Sequence, residues 1–239
     1  MAHFARSYPV MLFDLSFSRR ADIHSLLTYY EECVASFCKT YHVTGFDLDP
    51  MNLMGVGAST RVRILDVLPL WNEEMRVEIW ISGRTRLRLD IDFRAFYGDT
   101  AVAEGSSCWL ILDKTTRRPA NLTELLEALP EEGDPVFTGK HRETVCDERC
   151  ADDSFRISCS DTDYNGHVGN ISYVKWALHY FKTYAGGRPV REFSVRYGKE
   201  CFNRDEVDVL LARNGDDFCF TVTRHGEDAP ACRIGILAG

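Results

Sequence analysis

The sequence predicts an α+β fold of two tandem units, in each of which an antiparallel sheet wraps around a long central helix. Two observations support this prediction. The order of one strand, one long helix and four further strands occurs twice along the 239 residues. A stretch rich in Pro, Gly and acidic residues, 130–135, separates the two occurrences. The composition is that of a globular chain, because hydrophobic residues make up 45% and charged residues 27%.

The first unit is predicted to cover residues 1–129. It opens with a strand at 8–17, and Asp22 then provides the N-cap of a long helix. Apolar residues follow at the 3.6-residue period, so one face of this helix should be buried. These residues are Ile23, Leu26, Leu27, Tyr30, Val34 and Phe37.

Four strands are predicted after this helix, at residues 56–66, 73–83, 86–97 and 101–113. Their apolar residues alternate, as expected for a sheet with one face on a core: Val62, Ile64, Val77, Ile79, Leu87, Leu89, Ile91 and Phe93. One strand, one helix and four strands make a hotdog-like plan. A short helix at 123–129 ends this unit, and a linker follows at 130–136.

The second unit, residues 137–239, repeats the order. Strands are predicted at 155–160, 190–201, 205–212, 218–224 and 231–237, and a helix at 170–184. The turn between the first strand and the helix contains Gly166 and Gly169, which interrupt regular structure.

This turn is dense in groups that can act on a carbonyl. Asp163, Asn165 and His167 are spaced two apart, so an extended backbone would aim their side chains the same way. Turns also collect Asp, Asn and Gly for conformational reasons. Residue types alone therefore leave an active site and an Asx-rich turn both open, with Asp161 assigned to the turn.

The duplicated order allows an internal comparison of the two turns. Matching Asp22 to Asn170 as helix caps places Phe17 opposite Asn165 and Arg19 opposite His167. The first unit is then expected to lack the polar set, which leaves one equipped site per chain.

The run Asp163-x-Asn165-x-His167-Val-x-Asn170-x-x-Tyr173, followed downstream by Lys199-Glu200-Cys201, resembles the acyl-acyl carrier protein (acyl-ACP) thioesterases of plant plastids and bacteria. First-half segments such as Val77-Glu-Ile-Trp80 extend the resemblance over nearly the whole chain. The resemblance implies a double hotdog enzyme that hydrolyses fatty acyl-ACP thioesters without a cofactor. It would release free fatty acid and so end chain elongation. The first unit would form the substrate pocket and select chain length, and the second would carry the catalytic residues.

The resemblance also implies which residues form the site. The catalytic set would be Asp163, Asn165, His167, Glu200 and Cys201, and the substrate-binding residues would be Asn170 and Tyr173. We expect the carboxylate of Asp163 to orient the amide of Asn165, and His167 and Glu200 to share the general-base role towards water. In a rival mechanism His167 activates the thiol of Cys201 to form an acyl-enzyme.

Two departures from the family pattern are visible. Gly169 stands where the family usually has a second Asn, and Met54-Gly-Val-Gly stands where it often has a Trp. The second departure leaves chain length open. The apolar stripe of the first helix fits core packing, and it would also fit an acyl-chain channel.

The expected partner is an acyl carrier protein with a phosphopantetheine-linked acyl chain. Because carrier proteins are acidic, the docking surface should be locally basic although the net charge is −8. Three basic sets are candidates: Arg84, Arg86 and Arg88 along one strand; Lys114, Arg117 and Arg118; and Arg188, Arg191, Arg196 and Lys199. Acyl-coenzyme A hydrolysis and non-catalytic acyl-thioester binding remain alternative functions.

Several classes are not favoured by the sequence. The acidic charge argues against nucleic acid as a partner, and no apolar run reaches membrane-spanning length. The first residues lack a signal-peptide core, so a cytoplasmic location is expected. The nine cysteines are expected to be reduced thiols. Cys146, Cys150, Cys159 and His167 match no familiar metal-ligand spacing, so no metal is expected. A monomer and a homodimer are both compatible with the chain.

Overall fold

The computed structural model describes residues 3–121, 123, 127–139 and 144–239. The chain divides into two compact units, residues 1–138 and 139–239. The described residues of each unit contain five strands in an antiparallel sheet, accompanied by few helices. None of the described helices is long and apolar enough to cross a membrane.

The sheet of the first unit has the strand order β1-β3-β4-β5-β2. Its strands are β1 (Phe4–Pro9), β2 (Leu53–Ile64), β3 (Glu74–Thr85), β4 (Arg88–Tyr97) and β5 (Thr100–Asp113). The four strands predicted after the helix are thus confirmed to within three residues at each end. Leu87 is the exception in the predicted apolar alternation, because it lies in the β3–β4 turn and is 37% exposed.

The strand predicted at residues 8–17 is wrong. β1 ends at Pro9, and Leu12–Asp14 form a 3₁₀ turn. The turn is closed by Asp14, whose Oδ2 accepts the backbone N–H of Met11 at 2.8 Å. Pro9 has no N–H with which to continue the strand ladder. The carboxylate of Asp14 accepts a backbone N–H that a strand would use for pairing.

Helix α1 (Ile23–Thr40) has the predicted cap and the predicted buried face. Asp22 accepts the N–H of Ile23 at 2.7 Å, and all six residues of the apolar stripe are 5% exposed or less. The ring of Tyr30 stacks on Phe93 at 4.4 Å. A Cβ at residue 105 would lie 2.2 Å from the Phe93 ring, so only Gly105 leaves room for it. The short helix α2 (Gly45–Leu48) follows in the loop before β2.

The predicted linker, residues 130–136, packs along the first unit. It is part of a longer segment, residues 130–138, which we call the strap. Gly133 donates its N–H to the carbonyl of Ile81 at 2.7 Å, and Trp80 Nε1 donates to the carbonyl of Asp134 at 2.9 Å. Asp92, which is fully buried, accepts the N–H of Val136 at 2.5 Å. The division into units falls after this strap. Of the short helix predicted at 123–129, residues 124–126 lie outside the described residues.

The second unit has the strand order β7-β10-β9-β8-β6. Its elements are β6 (Glu148–Arg156), α3 (Asn170–Tyr184), β7 (Val190–Tyr197), β8 (Glu206–Asn214), β9 (Asp217–Arg224) and β10 (Pro230–Ala238). The bounds of α3 are confirmed, and its buried Phe181 meets Phe218 of β9 edge-on at 5.1 Å.

Two strand predictions in this unit are corrected. The strand expected at 155–160 ends at Arg156, and Cys159–Asp161 form a 3₁₀ turn closed by Asp161, which accepts the N–H of Ser158 at 2.9 Å. The strand expected at 190–201 ends at Tyr197. Residues 198–205 are a connection between β7 and β8.

Candidate active site

The site is built on a tight loop between the 3₁₀ turn and α3. Thr162 pairs with Val168 across it. The N–H of Asp163 donates to the carbonyl of His167 at 2.8 Å, and that of Gly166 donates to the carbonyl of Asp163 at 3.0 Å. Gly166 has φ +79°, a left-handed conformation that glycine adopts without strain. The loop thereby holds its polar side chains on a fixed backbone.

Asp163 and Asn165 lie on the exposed tip of this loop. Asp163 Oδ1 accepts the backbone N–H of Asn165 at 2.8 Å, an Asx turn. The donor in this bond is therefore the backbone of Asn165, whereas the sequence suggested its side-chain amide. Asp161 serves the scaffold, because its carbonyl accepts the N–H of Gly169 at 2.9 Å.

His167 and Glu200 form the imidazole–carboxylate pair of the site. The distance from His167 Nδ1 to Glu200 Oε1 is 3.3 Å, and their side chains are 20% and 32% exposed. They meet because the loop pairs with residues 198–205: His167 bridges to Phe202, and Val168 donates to the carbonyl of Cys201 at 2.8 Å. The ring of Phe202 contacts the imidazole edge-on at 5.0 Å. The structure thus joins two sequence segments that were predicted to meet.

Cys201 points into the core of the second unit. It is 0% exposed, and burial raises the pKa of its thiol above the usual value of 9.0. The hydroxyl of Tyr173, itself 4% exposed, is its hydrogen-bonding neighbour. The pKa of the Tyr173 hydroxyl is also raised, mainly by burial and next by the nearby thiol of Cys201. Both residues therefore support the loop from beneath.

The N-terminus of α3 has no side-chain cap. Gly169 is the N-cap, and Asn170 is the first helical residue, so the sequence-based assignment of Asn170 as the cap is wrong. In α1, by contrast, the cap is the Asp22 carboxylate. A Cβ at Gly169 would have its nearest neighbour at 3.7 Å, so the site has room for a side chain that is not there. Glycine at this position places no side chain of its own over the first turn of α3, and the side-chain atom nearest to that Cβ position is Cβ of Asp163.

The first unit repeats the backbone of this loop. Ser16 donates to the carbonyl of Arg20 at 2.8 Å, and Arg19 donates to Ser16 at 3.0 Å, which matches the bonds of the second loop. Arg20 bridges to Leu70 as His167 bridges to Phe202.

These bonds set the register between the two loops. Ser16, Ser18 and Arg20 correspond to Asp163, Asn165 and His167, one residue away from the match made at the sequence level. That match failed because it equated Asp22 with Asn170 instead of with Gly169. The N–H of Ala21 donates to the carbonyl of Pro69, as the N–H of Val168 donates to the carbonyl of Cys201. Pro69 therefore corresponds to Cys201, and the preceding residue, Leu68, corresponds to Glu200. In the corrected register the first unit has polar residues at these places, so the predicted loss concerns the particular set: two hydroxyls, a guanidinium and Leu68 stand where the second unit has Asp163, Asn165, His167 and Glu200.

The structure corrects the prediction for one of the three basic sets, which was expected to lie along a single strand. Arg84 lies on β3, Arg86 in the hairpin turn and Arg88 on β4, so these three do not share one strand. Arg84 pairs with Glu132 at 3.1 Å, and Arg88 with Asp90 at 2.8 Å. Within the described ranges no group of three or more His, Cys, Asp or Glu side chains could hold a metal.

The fold is shared with solved acyl-ACP thioesterase structures. An acyl-ACP thioesterase from Bacteroides thetaiotaomicron superimposes with a TM-score of 0.86 at 20% identity, covering 99% of this chain and 98% of that one. The 12:0-ACP thioesterase from Umbellularia californica gives a TM-score of 0.81 at 18% identity, covering 99% and 97%. The structure is therefore of the acyl-ACP thioesterase fold class.

Sequence comparison gives the family itself. The acyl-ACP thioesterase N-terminal domain matches residues 1–129, and the acyl-ACP thioesterase C-terminal domain matches residues 146–232. The chain belongs to the acyl-ACP thioesterase family. A chloroplastic palmitoyl-acyl carrier protein thioesterase of Arabidopsis thaliana is 26% identical over 90% of this chain and 56% of its own length. One from Gossypium hirsutum is 24% identical over 94% and 58%. The chain thus spans a little over half the length of these curated relatives.

Proposed function

We propose that this chain hydrolyses fatty acyl-ACP thioesters, releasing free fatty acid and so ending chain elongation. The observation that carries the proposal is the contact between His167 Nδ1 and Glu200 Oε1 at 3.3 Å, beside an uncapped helix N-terminus. Family membership supplies the substrate class. Acyl-ACP would bring both the acyl chain and the carrier protein as the partner.

In the proposed mechanism His167 is the general base. With Nδ1 directed at Glu200, Nδ1–H donates a hydrogen bond to the carboxylate, and Nε2 is the atom that accepts a proton from water. Glu200 stabilises the imidazolium that forms. The resulting hydroxide attacks the thioester carbonyl, and the tetrahedral intermediate breaks its C–S bond to expel the pantetheine thiolate. The thiolate then takes up the proton held on Nε2, which restores the base.

The oxyanion of the intermediate requires donors. The first amides of α3 are the proposed donors, because the helix dipole favours negative charge there and Gly169 places no side chain over them. Asn165, on the same rigid loop, is proposed to help position the substrate or water. Asp163 acts through the backbone of Asn165, which it fixes.

The acyl-enzyme mechanism is less well supported. Attack requires a thiolate that can reach the substrate. Cys201 is fully buried, its thiol pKa is raised, and its hydrogen-bonding neighbour is Tyr173. His167 is directed at Glu200. We therefore assign Cys201 to packing beneath the loop.

We further infer that the two units are tandem hotdog units, each with its helix at the centre of a wrapped sheet. The repeated hydrogen bonds of the two loops support this inference. In this arrangement the first unit, having lost the acid–base set, would form the acyl pocket and select chain length. A cytoplasmic location is part of the proposal and can be tested by cell fractionation.

A substrate comparison tests the proposed function. The purified protein is assayed on acyl-ACP and on the matching acyl-coenzyme A, with acyl chains of graded length. We expect kcat/KM to be at least tenfold higher on acyl-ACP. Higher kcat/KM on acyl-coenzyme A would assign the chain to that substrate instead, and binding without hydrolysis of either would make it a non-catalytic acyl-thioester binder.

A further inference from the structure

Glu200 lies on a connection, where isolated backbone bonds such as that from Val168 to the carbonyl of Cys201 replace the continuous ladder of a strand, so side-chain contacts can add to what fixes it. Residues 198–205 join β7 to β8, and Glu200 is the third of these eight residues. We propose that Arg224, at the end of β9, is a positioning residue that holds this connection so that Glu200 faces His167. The proposal rests on the proposed function for its catalytic meaning.

Arg224 links the two ends of the connection. At the far end Asp205 Oδ2 accepts the N–H of Phe202 at 3.0 Å, and Arg224 Nε lies 3.2 Å from the same oxygen. Arg224 Nη1 is also 3.6 Å from Glu227 Oε1. Glu227 Oε2 in turn is 2.7 Å from Lys199 Nζ, at the near end. We call Lys199, Asp205, Arg224 and Glu227 the Arg224 clamp.

The exposure of these side chains fits a role in orientation. Asp205 is 18% exposed and Arg224 39%, whereas Lys199 is 55% exposed. Exposed ion pairs add little to overall stability because water screens them. A network that fixes both ends of an eight-residue connection can still set where Glu200 points, and small displacements of a catalytic group lower the rate strongly.

The first unit offers an internal comparison without the clamp. There Glu73 takes the place of Asp205, since Glu73 Oε2 accepts the N–H of Leu70 at 2.6 Å as Asp205 accepts that of Phe202. Its partner from the neighbouring strand is the neutral hydroxyl of Tyr97, and the guanidinium that acts on it electrostatically, Arg20, belongs to the loop itself. Leu68 stands in that connection in place of Glu200. Both units therefore hold this turn with a carboxylate, and the link from a strand-end arginine to Asp205 and Glu227 occurs in the unit that has a catalytic carboxylate to place.

The variant Arg224→Gln tests the clamp. We expect kcat on acyl-ACP to fall 10- to 100-fold with KM changed less than twofold, because binding groups are untouched. Hydrogen exchange at the amides of Phe202 and Val168 should accelerate, since both report the position of the connection. The matched control is Arg213→Gln, which breaks the ion pair with Glu148 in the same unit and should change neither readout.

The conservative variant Arg224→Lys separates positioning from a purely structural role. It keeps a positive charge beside Asp205 and Glu227, so kcat should stay within about threefold of wild type. Wild-type kcat and unchanged amide exchange in Arg224→Gln would overturn the proposal, as would a kcat in Arg224→Lys as low as in Arg224→Gln. Amide exchange needs no turnover, so absence of thioester hydrolysis in the wild type would contradict the proposed function while the exchange data still decide the clamp.

Discussion

Two side chains that are adjacent in sequence have different environments. Glu200 is 32% exposed and contacts His167, whereas Cys201 is fully buried beside Tyr173 and Cys232. Burial opposes ionisation of a thiol, and it does so for Cys232 as well, whose pKa is raised well above 9.0. The carboxylate is therefore equipped for proton chemistry and the thiol is not.

This difference predicts the behaviour of Cys201→Ala. Hydrolysis should stay within about fivefold of wild type, since the change removes one buried sulfur and no reacting group. Stability should fall by about 1–2 kcal/mol from the cavity left behind. Steady-state kinetics and thermal unfolding measure the two effects. A loss of 100-fold or more in kcat with the fold intact would restore the acyl-enzyme mechanism.

At this scale the sequence was informative about residue types and less so about contacts. His167 and Glu200 were predicted to act together, and they do meet. The role of Asp163 was misjudged in one respect, because a carboxylate next to an amide side chain suggests a side-chain bond, while a tight turn offers a backbone N–H at shorter reach. The burial of Cys201 depends on where β7 ends, which local sequence does not determine.

Among the elements, the strap of residues 130–138 is held by one buried carboxylate. Asp92 is 0% exposed, its Oδ1 accepts the hydroxyl of Ser82 at 2.5 Å, and its Oδ2 accepts the N–H of Val136 at 2.5 Å. Arg61 and Arg63 cover the ring of Phe137, at 4.1 and 5.0 Å from its centroid. A stretch that reads as a linker by composition is thus fastened to the sheet.

Replacing Asp92 by Ala should loosen this strap. The change leaves the donors of Ser82 and Val136 without their acceptor, at a cost of roughly 2–4 kcal/mol. We expect a lower melting temperature and faster amide exchange at Val136. The exposed Asp99 in the β4–β5 turn provides the control, because Asp99→Ala should change neither. Equal melting temperatures for Asp92→Ala and wild type would show that the strap does not depend on this carboxylate.

The two long helices and most strands could be predicted from the sequence, and the two strands that failed share a cause. α1 and α3 have clear periodicity and definite ends. The strands predicted at 8–17 and 155–160 failed because both regions contain a 3₁₀ turn closed by an Asp side chain, at Asp14 and Asp161. Side-chain to backbone bonds of this kind leave no periodic signal. The two Asp residues occur at corresponding places in the two units, and this repeat is the feature of the sequence that indicates the two turns.

At the scale of the whole molecule, one ion pair on the surface, His225 with Asp208, makes part of the stability depend on pH. His225 Nδ1 lies 3.1 Å from Asp208 Oδ2. Hydrogen bonds from Ser154 and then His225 lower the pKa of Asp208 below 3.8, and the bond to Asp208 raises the pKa of His225 above 6.5. The Asp208 contribution to stability is present above pH 3.8 and is lost as the pH falls through its lowered folded pKa. The His225 contribution is complete below pH 6.5 and is lost as the pH rises through its raised folded pKa.

The pair therefore stabilises the protein most between about pH 4 and 6.5. His225→Gln should lower the melting temperature at pH 5.5 and lower it less at pH 8.5, because wild-type His225 loses its proton as the pH rises through its raised pKa. Melting curves of both proteins at the two pH values measure this. A deficit of the same size at both pH values would mean that the charge of His225 does not contribute.

The same loop backbone occurs in both units, and its second copy carries the imidazole–carboxylate pair. The second loop carries His167 with Glu200 in reach, and the first carries Arg20 and Leu68 at the corresponding places. If the proposed function is right, all acid–base chemistry should depend on the second loop.

The most direct measurement is kcat on an acyl-ACP thioester for His167→Gln, Glu200→Gln, the double variant and Arg20→Gln. We predict a loss of about 10²–10⁴ for each of the first two, a double variant little worse than the singles because the two residues act as a unit, and near wild-type turnover for Arg20→Gln. Folded His167→Gln and Glu200→Gln proteins that turn over within threefold of wild type would contradict the account.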